Sequence, residues 1–187
     1  MTKNLSRYSD DQLYAMLRDD QQTKDRAFAE LYARYSSRVW LYCLKIMGDQ
    51  ESAADMFQGT FLRFLQSADV ERQMTNVPGF LLRIARNLCL NTRQKMQPTA
   101  VAVEDIQIPV EDQSLESKEL ARLVSTALDL LPDEYREAFV LQVYNGLSYK
   151  EIAATIDHPV STVRNRVVRA KKKIREILAP YLVDYRE

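Results

Sequence analysis

Glycine and proline are scarce in this 187-residue chain, with four and six copies respectively. So few turn-formers exclude a loop-rich protein or a β-sandwich, which need frequent turn signals. One histidine and two cysteines leave no cluster with metal-ligand spacing and no acid–base pair suited to catalysis. No metal, no cofactor and no enzymatic activity are therefore expected. The single histidine, His158, sits in a turn, where a structural or DNA-adjacent place suits it better than a catalytic one. Cys43 and Cys89 lie within helical apolar patterns and read as free buried thiols of a reducing compartment, not as a disulfide. A signal segment and an apolar run long enough to span a bilayer are also missing, so a soluble, cytoplasmic protein without membrane insertion is expected. Charge of one sign is lacking too: 26 Lys and Arg balance 26 Asp and Glu. A free-standing DNA binder carries a basic surplus. Any DNA affinity here should be weak or masked unless something assists it.

What is present is apolar periodicity at three- and four-residue steps, with 46% apolar residues to fill a core. The clearest stretch runs from Leu147 to Arg175. Ser148 with Glu151 forms a capping box, in which each side chain satisfies an orphan donor at the helix start. Ile152, Ala153 and Ile156 give a short apolar face. Asp157-His158-Pro159 stops that helix, because the residue before proline is pushed out of the α region. Ser161 is the expected N-cap of the next helix, in which Val163, Val167, Ala170, Ile174 and Leu178 face a core. Two helices about a tight turn, the second of them basic, is a helix-turn-helix layout, whose second helix enters the major groove. The candidate base and phosphate contacts are Ser161, Thr162, Arg164, Asn165, Arg166 and Arg169, since arginine and asparagine match the paired groups on base edges. An ordinary solvated basic face is the competing reading. The caps and the turn favour DNA.

In the first half, residues 1–8 read as a frayed terminus. Ser9 and Gln12 can cap a short helix carrying Leu13, Met16 and Leu17. A long helix is expected from near Asp25 to Gly48, a glycine that tolerates a left-handed cap. Asp49 should cap the next, with Ala53, Phe57, Phe61, Leu62 and Leu65 as its apolar side and Asp55 and Gln58 on the other. After a loop over about 67–77, Pro78 suits the first turn of a helix with Phe80, Leu81, Ile84, Ala85 and Leu88 toward the core. Arg83, Arg86, Asn87 and Arg93 lie along its remainder, as either a solvated face or a nucleic-acid contact. Trp40, Phe57, Phe61 and Phe64 read as core and not as a stacking platform.

Periodicity vanishes from Met96 to Ser114, where Pro98 and Pro109 punctuate an acidic stretch with Glu104, Asp105, Glu111 and Asp112. Beyond it, Leu120, Leu123, Val124, Ala127, Leu128 and Leu131 form one helical face. Pro132 opens a helix with Phe139, Val140, Leu141 and Tyr144 toward the core. The expected architecture is all-α: two small helical domains, residues 1–95 and 115–187, joined by a flexible acidic linker at 96–114, with the helix-turn-helix in the second.

The ordered motifs resemble one family. They are Leu31-Tyr32, Gly48-Asp49, the run from Ala53 to Arg63, and Phe80-Leu81-Leu82-Arg83-Ile84-Ala85-Arg86-Asn87. Leu130-Leu131-Pro132, Arg136-Glu137-Ala138-Phe139, Gly146-Leu147-Ser148-Tyr149-Lys150-Glu151-Ile152-Ala153 and Val160-Ser161-Thr162-Val163-Arg164 continue the match. Together they are similar to the extracytoplasmic-function (ECF) sigma factors, small initiation subunits of bacterial RNA polymerase. The resemblance implies core RNA polymerase and promoter DNA as partners, and allows an anti-sigma factor as a third. It implies that Asp55 and Gln58 meet the polymerase clamp, that Arg83, Arg86 and Asn87 hold the opened −10 element, and that the helix from Ser161 reads the −35 element. Gly59 stands where the family usually has glutamate and costs about 1 kcal/mol of helix stability against alanine. Asp157-His158 replaces a glycine-bearing pair. A stand-alone helix-turn-helix regulator is the alternative reading, and it predicts tight duplex binding without polymerase.

Overall fold

The computed structural model describes residues 5–68, 74–95 and 115–181, and every regular element among them is helical. A 3-10 turn at Leu5–Arg7 precedes α1 (Asp10–Met16), α2 (Gln21–Met47), α3 (Gln50–Ala68) and α4 (Val77–Lys95). After the linker come α5 (Leu115–Asp129), α6 (Asp133–Phe139), α7 (Tyr149–Ile156) and α8 (Val160–Leu178). The acidic linker expected at 96–114 lies outside the described residues.

Short polar side chains set most helix starts, as the orphan N–H groups of a first turn require. The Ser9 N–H donates to Gln12 Oε1 at 3.0 Å. Helix α2 starts at Gln21 and not near Asp25, because Asp20 Oδ1 accepts from the N–H groups of Gln22 and Thr23 at 3.1 and 3.2 Å. Asp49 Oδ1 accepts from Ser52 N–H at 2.7 Å. Asn76 Oδ1 accepts from Gly79 N–H at 2.9 Å, and a Cβ at Gly79 would fall 2.5 Å from the Asn76 side chain. That cap therefore needs its glycine. The Ser148–Glu151 capping box forms as expected, with Ser148 N–H donating to Glu151 Oε2 at 2.8 Å. Ser161 does not cap α8. That helix starts at Val160 behind Pro159, so Ser161 lies inside the first turn. Proline suits a helix entrance because it has no N–H to leave unpaired.

Helix ends follow the same logic. Gly48 takes a left-handed conformation at φ 84°, and Asp157 does so at φ 55°, the only described non-glycine residue with positive φ. The end of α5 is closed from elsewhere in the chain. The buried Arg136 guanidinium donates to the carbonyls of Leu128, Asp129 and Leu131 at 2.9, 2.6 and 3.3 Å. Helix α6 runs into a π-helical turn at Val140–Tyr144, which the periodicity did not reveal.

Before the linker, α1 to α4 enclose Leu13, Leu31, Val39, Tyr42, Phe64, Leu81 and Leu82. Cys43 and Cys89 are free thiols inside this core. Leu62, expected inside, is 59% exposed, because Phe61 and Phe64 take the inward phase of α3. Leu120 is likewise exposed. The frayed terminus expected over 1–8 gives way at Leu5, which is buried. Gly59 faces α4, where a Cβ would lie 3.4 Å from Leu88 Cδ1. That is close to an ordinary contact with the end of a flexible side chain, so the packing does not demand glycine there.

The helices on either side of the linker touch. The π-turn packs on α2, and α7 packs on α4. One apolar cluster accordingly includes Leu31, Leu81 and Ala85 together with Leu141, Ile152, Ile156, Val163 and Val167. A second cluster, with Leu128, Phe139, Ala170, Ile174 and Leu178, ties α5 and α6 to α8.

A left-handed non-glycine residue carries backbone strain of about 1 kcal/mol. Asp157→Gly should therefore raise the unfolding free energy by about 0.5–1 kcal/mol, read as a Tm rise of roughly 2 °C. A lower Tm would show that Asp157 is held by something stronger than its turn.

Candidate nucleic-acid interface

Helix α8 presents a cationic face because the apolar stripe from Val163 to Leu178 turns inward. Val163, Val167 and Ala170 are fully buried, while Ser161, Arg164, Asn165, Val168, Arg169, Lys172 and Lys173 are exposed. Thr162 and Arg166 are half-buried. Arg166 turns back to Glu134 on α6 at 3.0 Å. Arg169 donates to the Tyr135 hydroxyl at 3.2 Å. The six residues expected on the duplex side thus share one end of α8, with Arg166 drawn toward α6.

Helix α4 carries the second set. Asn87 is exposed. Arg83 donates to the carbonyl of Ala154 on α7 at 2.6 Å. Arg86 reaches Glu137 on α6, with Nε and Oε1 2.7 Å apart. Farther along, Arg93 bridges to Asp133 at 2.7 Å and donates to the carbonyl of Ile46. The side of α4 expected to meet DNA therefore meets the other half of the chain. At the start of α4 a cleft of about 240 Å³ is lined by Met74, Thr75, Asn76, Gly79, Phe80 and Arg83, with Ala154 and Thr155 as its far wall. Asp55 and Gln58 are exposed on α3, away from these contacts.

Family models match both halves: Sigma-70 region 2 over residues 31–98 and Sigma-70 region 4 over residues 121–174. Relatives agree. The chain is 31% identical over 171 residues to the RNA polymerase sigma-H factor of Pseudomonas aeruginosa, covering 84% of this chain and 89% of that one. The chain belongs to the sigma-70 family of RNA polymerase sigma factors. Within it the chain groups with the ECF members. It is 34% identical over 159 residues to the ECF RNA polymerase sigma factor SigE of Mycolicibacterium smegmatis, covering 81% of this chain and 62% of that relative's length. Two solved structures share the fold at a TM-score of 0.70. One is the sigma factor RpoE in complex with the anti-sigma factor NepR from Bartonella quintana, at 21% identity, covering 82% of this chain and 98% of that one. The other is CnrH in complex with the cytosolic domain of CnrY, at 24% identity, covering 91% and 97%. The match to region 2 across the first half disfavours the stand-alone regulator.

Among the described residues of this sigma factor no helix is long and apolar enough to cross a membrane. The residue that motif reading undervalued is Glu137. It is 5% exposed and accepts from both Arg86 and the Tyr42 hydroxyl, the latter at 3.1 Å. The available signal was a carboxylate directly before the buried Ala138 and Phe139, a position where acids stay only if paired. Lys45, also buried, donates to Ser125 Oγ at 3.1 Å and lies over the Tyr144 ring. Both groups sit where the halves meet.

Burial pushes the Tyr42 phenol well above its usual value, with the Glu137 charge adding to the shift. Burial, and then Asp10, lift Tyr35 to about 12. A phenol in the unfolded chain titrates near 10. The folded state thus holds these protons more tightly, so their contribution is complete below about pH 10 and is lost as pH rises through the folded values. Lys45 acts in the opposite sense. Burial lowers its value, so its contribution grows as pH climbs toward the usual lysine range. Burial raises Tyr144 as well, so three phenols outweigh one ammonium. Tm should fall between about pH 10 and about pH 12, and less steeply in Tyr42→Phe. A flat Tm across that window would contradict this account.

Proposed function

We propose that this sigma factor reads a promoter with two helices: α8 on the −35 duplex and α4 on the opened −10 strand. The observation that supports this best is that the two proposed reading helices fall in the two matched regions, α4 wholly within region 2 and α8, as far as Ile174, within region 4. On α8, Arg164 and Asn165 stand exposed for base edges, and Ser161, Thr162, Arg166 and Arg169 supply phosphate and backbone contacts. Val168, 57% exposed beside them, offers an apolar surface suited to a thymine methyl. On α4, Arg83 lines the cleft at the helix start, whose Phe80 wall and polar rim suit an unstacked base, and Arg86 and Asn87 follow about one turn along the same helix. Unstacking costs a few kcal/mol, which pocket contacts offset. Asp55 and Gln58 on the exposed side of α3 are the proposed polymerase clamp contact.

In this reading the domain bounds are residues 1–95 and 115–187. The protein has no reaction of its own and works in the cytoplasm. Core polymerase holds both readers on one DNA, which raises their effective concentration and compensates for the neutral overall charge. The two fold neighbours were solved with NepR, an anti-sigma factor, and with the cytosolic domain of CnrY. A partner of the anti-sigma kind is proposed here on that ground.

Adding the purified chain to core RNA polymerase should yield promoter-dependent transcripts whose starts map downstream of one shared motif pair. Silence on every genomic promoter would overturn the reading. Arg166→Ala should weaken promoter binding on all sequences and lower the salt slope by about 1. Asn165→Ala should instead change base preference at one −35 position, with the salt slope intact. If Asn165→Ala leaves the preference as it was, Asn165 does not touch a base.

A further inference from the structure

Helix α1 is a strut fixed at both ends. Its start is tied to α2: Arg34 bridges to Asp10 at 2.9 Å, and the Tyr35 hydroxyl donates to the same carboxylate. Its other end is tied to the last turn of α3. The Ser67 hydroxyl donates to the Phe64 carbonyl at 2.6 Å, which uses its one proton. The Tyr14 hydroxyl, 3.2 Å from Ser67 Oγ, is therefore the donor between the two. In the turn after α1, Arg18 Nε donates to the Ala68 carbonyl at 2.8 Å, and its guanidinium carbon lies 5.9 Å from the centre of the Tyr14 ring. The last carbonyls of a helix lack partners inside it, and a cation beside them is favourable.

The core alone does not ask for these polar groups. A phenylalanine at position 14 would bury the same ring, and Arg18 is exposed. Both act on the end of α3, and eight residues separate that end, Ala68, from the start of α4 at Val77. A row of rings carries the contact further. Tyr14 lies 5.5 Å from Phe64, and Phe64 lies 6.3 Å from Phe80, the ring that walls the cleft at the start of α4. Tyr14 and Phe64 are fully buried, so neither ring can shift without opening a void.

We propose that Tyr14 and Arg18 are positioning residues for promoter opening: they brace the end of α3 and, through Phe64, hold the Phe80 wall of the base cleft in place. This rests on the reading of that cleft as the seat of an unstacked base. Neither residue lines the cleft, so both act through Phe80. Phe80 is only half-buried, and a half-buried ring needs support to keep one orientation. A base that leaves its stack is held only if the receiving surface already stands in the right plane, and small displacements of such a surface cost large factors in rate. The brace supplies that support from the side of the cleft away from DNA.

The test uses holoenzyme assembled from the full chain and core polymerase, on a promoter found by mapping transcript starts. Permanganate reactivity of unpaired thymines follows opening, and its dependence on holoenzyme concentration separates the closed-complex constant from the opening rate. Arg18→Ala should slow opening about tenfold, with the closed-complex constant unchanged. Arg18→Lys keeps a donor for the Ala68 carbonyl and should recover most of the rate. Tyr14→Phe keeps the ring and should slow opening about threefold, the worth of one hydrogen bond. Abasic nucleotides placed at each −10 position in turn identify the seated base. At that position Arg18→Ala should cost no further rate, because a brace on an empty cleft does nothing. Losses that add in full overturn the proposal, as does an unchanged opening rate in Arg18→Ala. A loss shared by the closed-complex constant and Tm overturns it too, since that is a purely structural role. Phe80→Ala on the same abasic templates tells the two readings apart. Coupling at Phe80 without coupling at Arg18 removes the brace alone. No effect of Phe80→Ala or of any abasic position removes the cleft as a base seat, and the brace with it.

Discussion

Glu137 is the contact on which the arrangement of this sigma factor turns. A carboxylate at 5% exposure is unfavourable unless charge and hydrogen bonds surround it. Here the surroundings come from the other half of the chain, as the Arg86 guanidinium and the Tyr42 hydroxyl. Removing either partner leaves a buried charge partly uncompensated, so α2, α4 and α6 are bound to one another through a single side chain. The lysine across the same seam obeys the same rule: Lys45 is buried only because Ser125 and the face of Tyr144 receive its ammonium.

That constraint ties stability to function. In the proposed reading, Arg86 and Arg166, which α6 engages, are also promoter contacts, so those two ion pairs compete with nucleic acid. The unpartnered Asn145 oxygen and the strained Asp157 turn mark where the fold is less than optimal. Asn145 follows the π-turn that packs on α2, and Asp157 ends α7, which packs on α4.

Much of this was legible from local pattern. The helix-turn-helix followed from a capping box, the Asp157-His158-Pro159 stop and an unbroken apolar stripe from Val163 to Leu178, and all five stripe residues are buried. Such features depend on neighbours within one turn of helix, so a linear reading reaches them. The caps at Asp49 and Gly48 were legible for the same reason. Ser161 is not the cap because Pro159, two residues earlier, is an equally good helix entrance. Leu62 was misjudged because one residue of phase separates the inward from the outward face of α3. The π-turn after α6 shifted the phase again, without a residue type to announce it.

The order of motifs and the identity of the charged residues were contained in the chain as a string, and they suffice to identify the family. The partners of those charges were not. Arg83, Arg86 and Arg93 lie 71, 51 and 40 residues from Ala154, Glu137 and Asp133. No local period or cap encodes a pairing across an intervening linker. It arises when two apolar patches close on each other and the charges at their margins must find partners or stay in water. Which helices can meet DNA is therefore a property of the amino-acid order. Whether they are free to do so is a property of how the two halves come together.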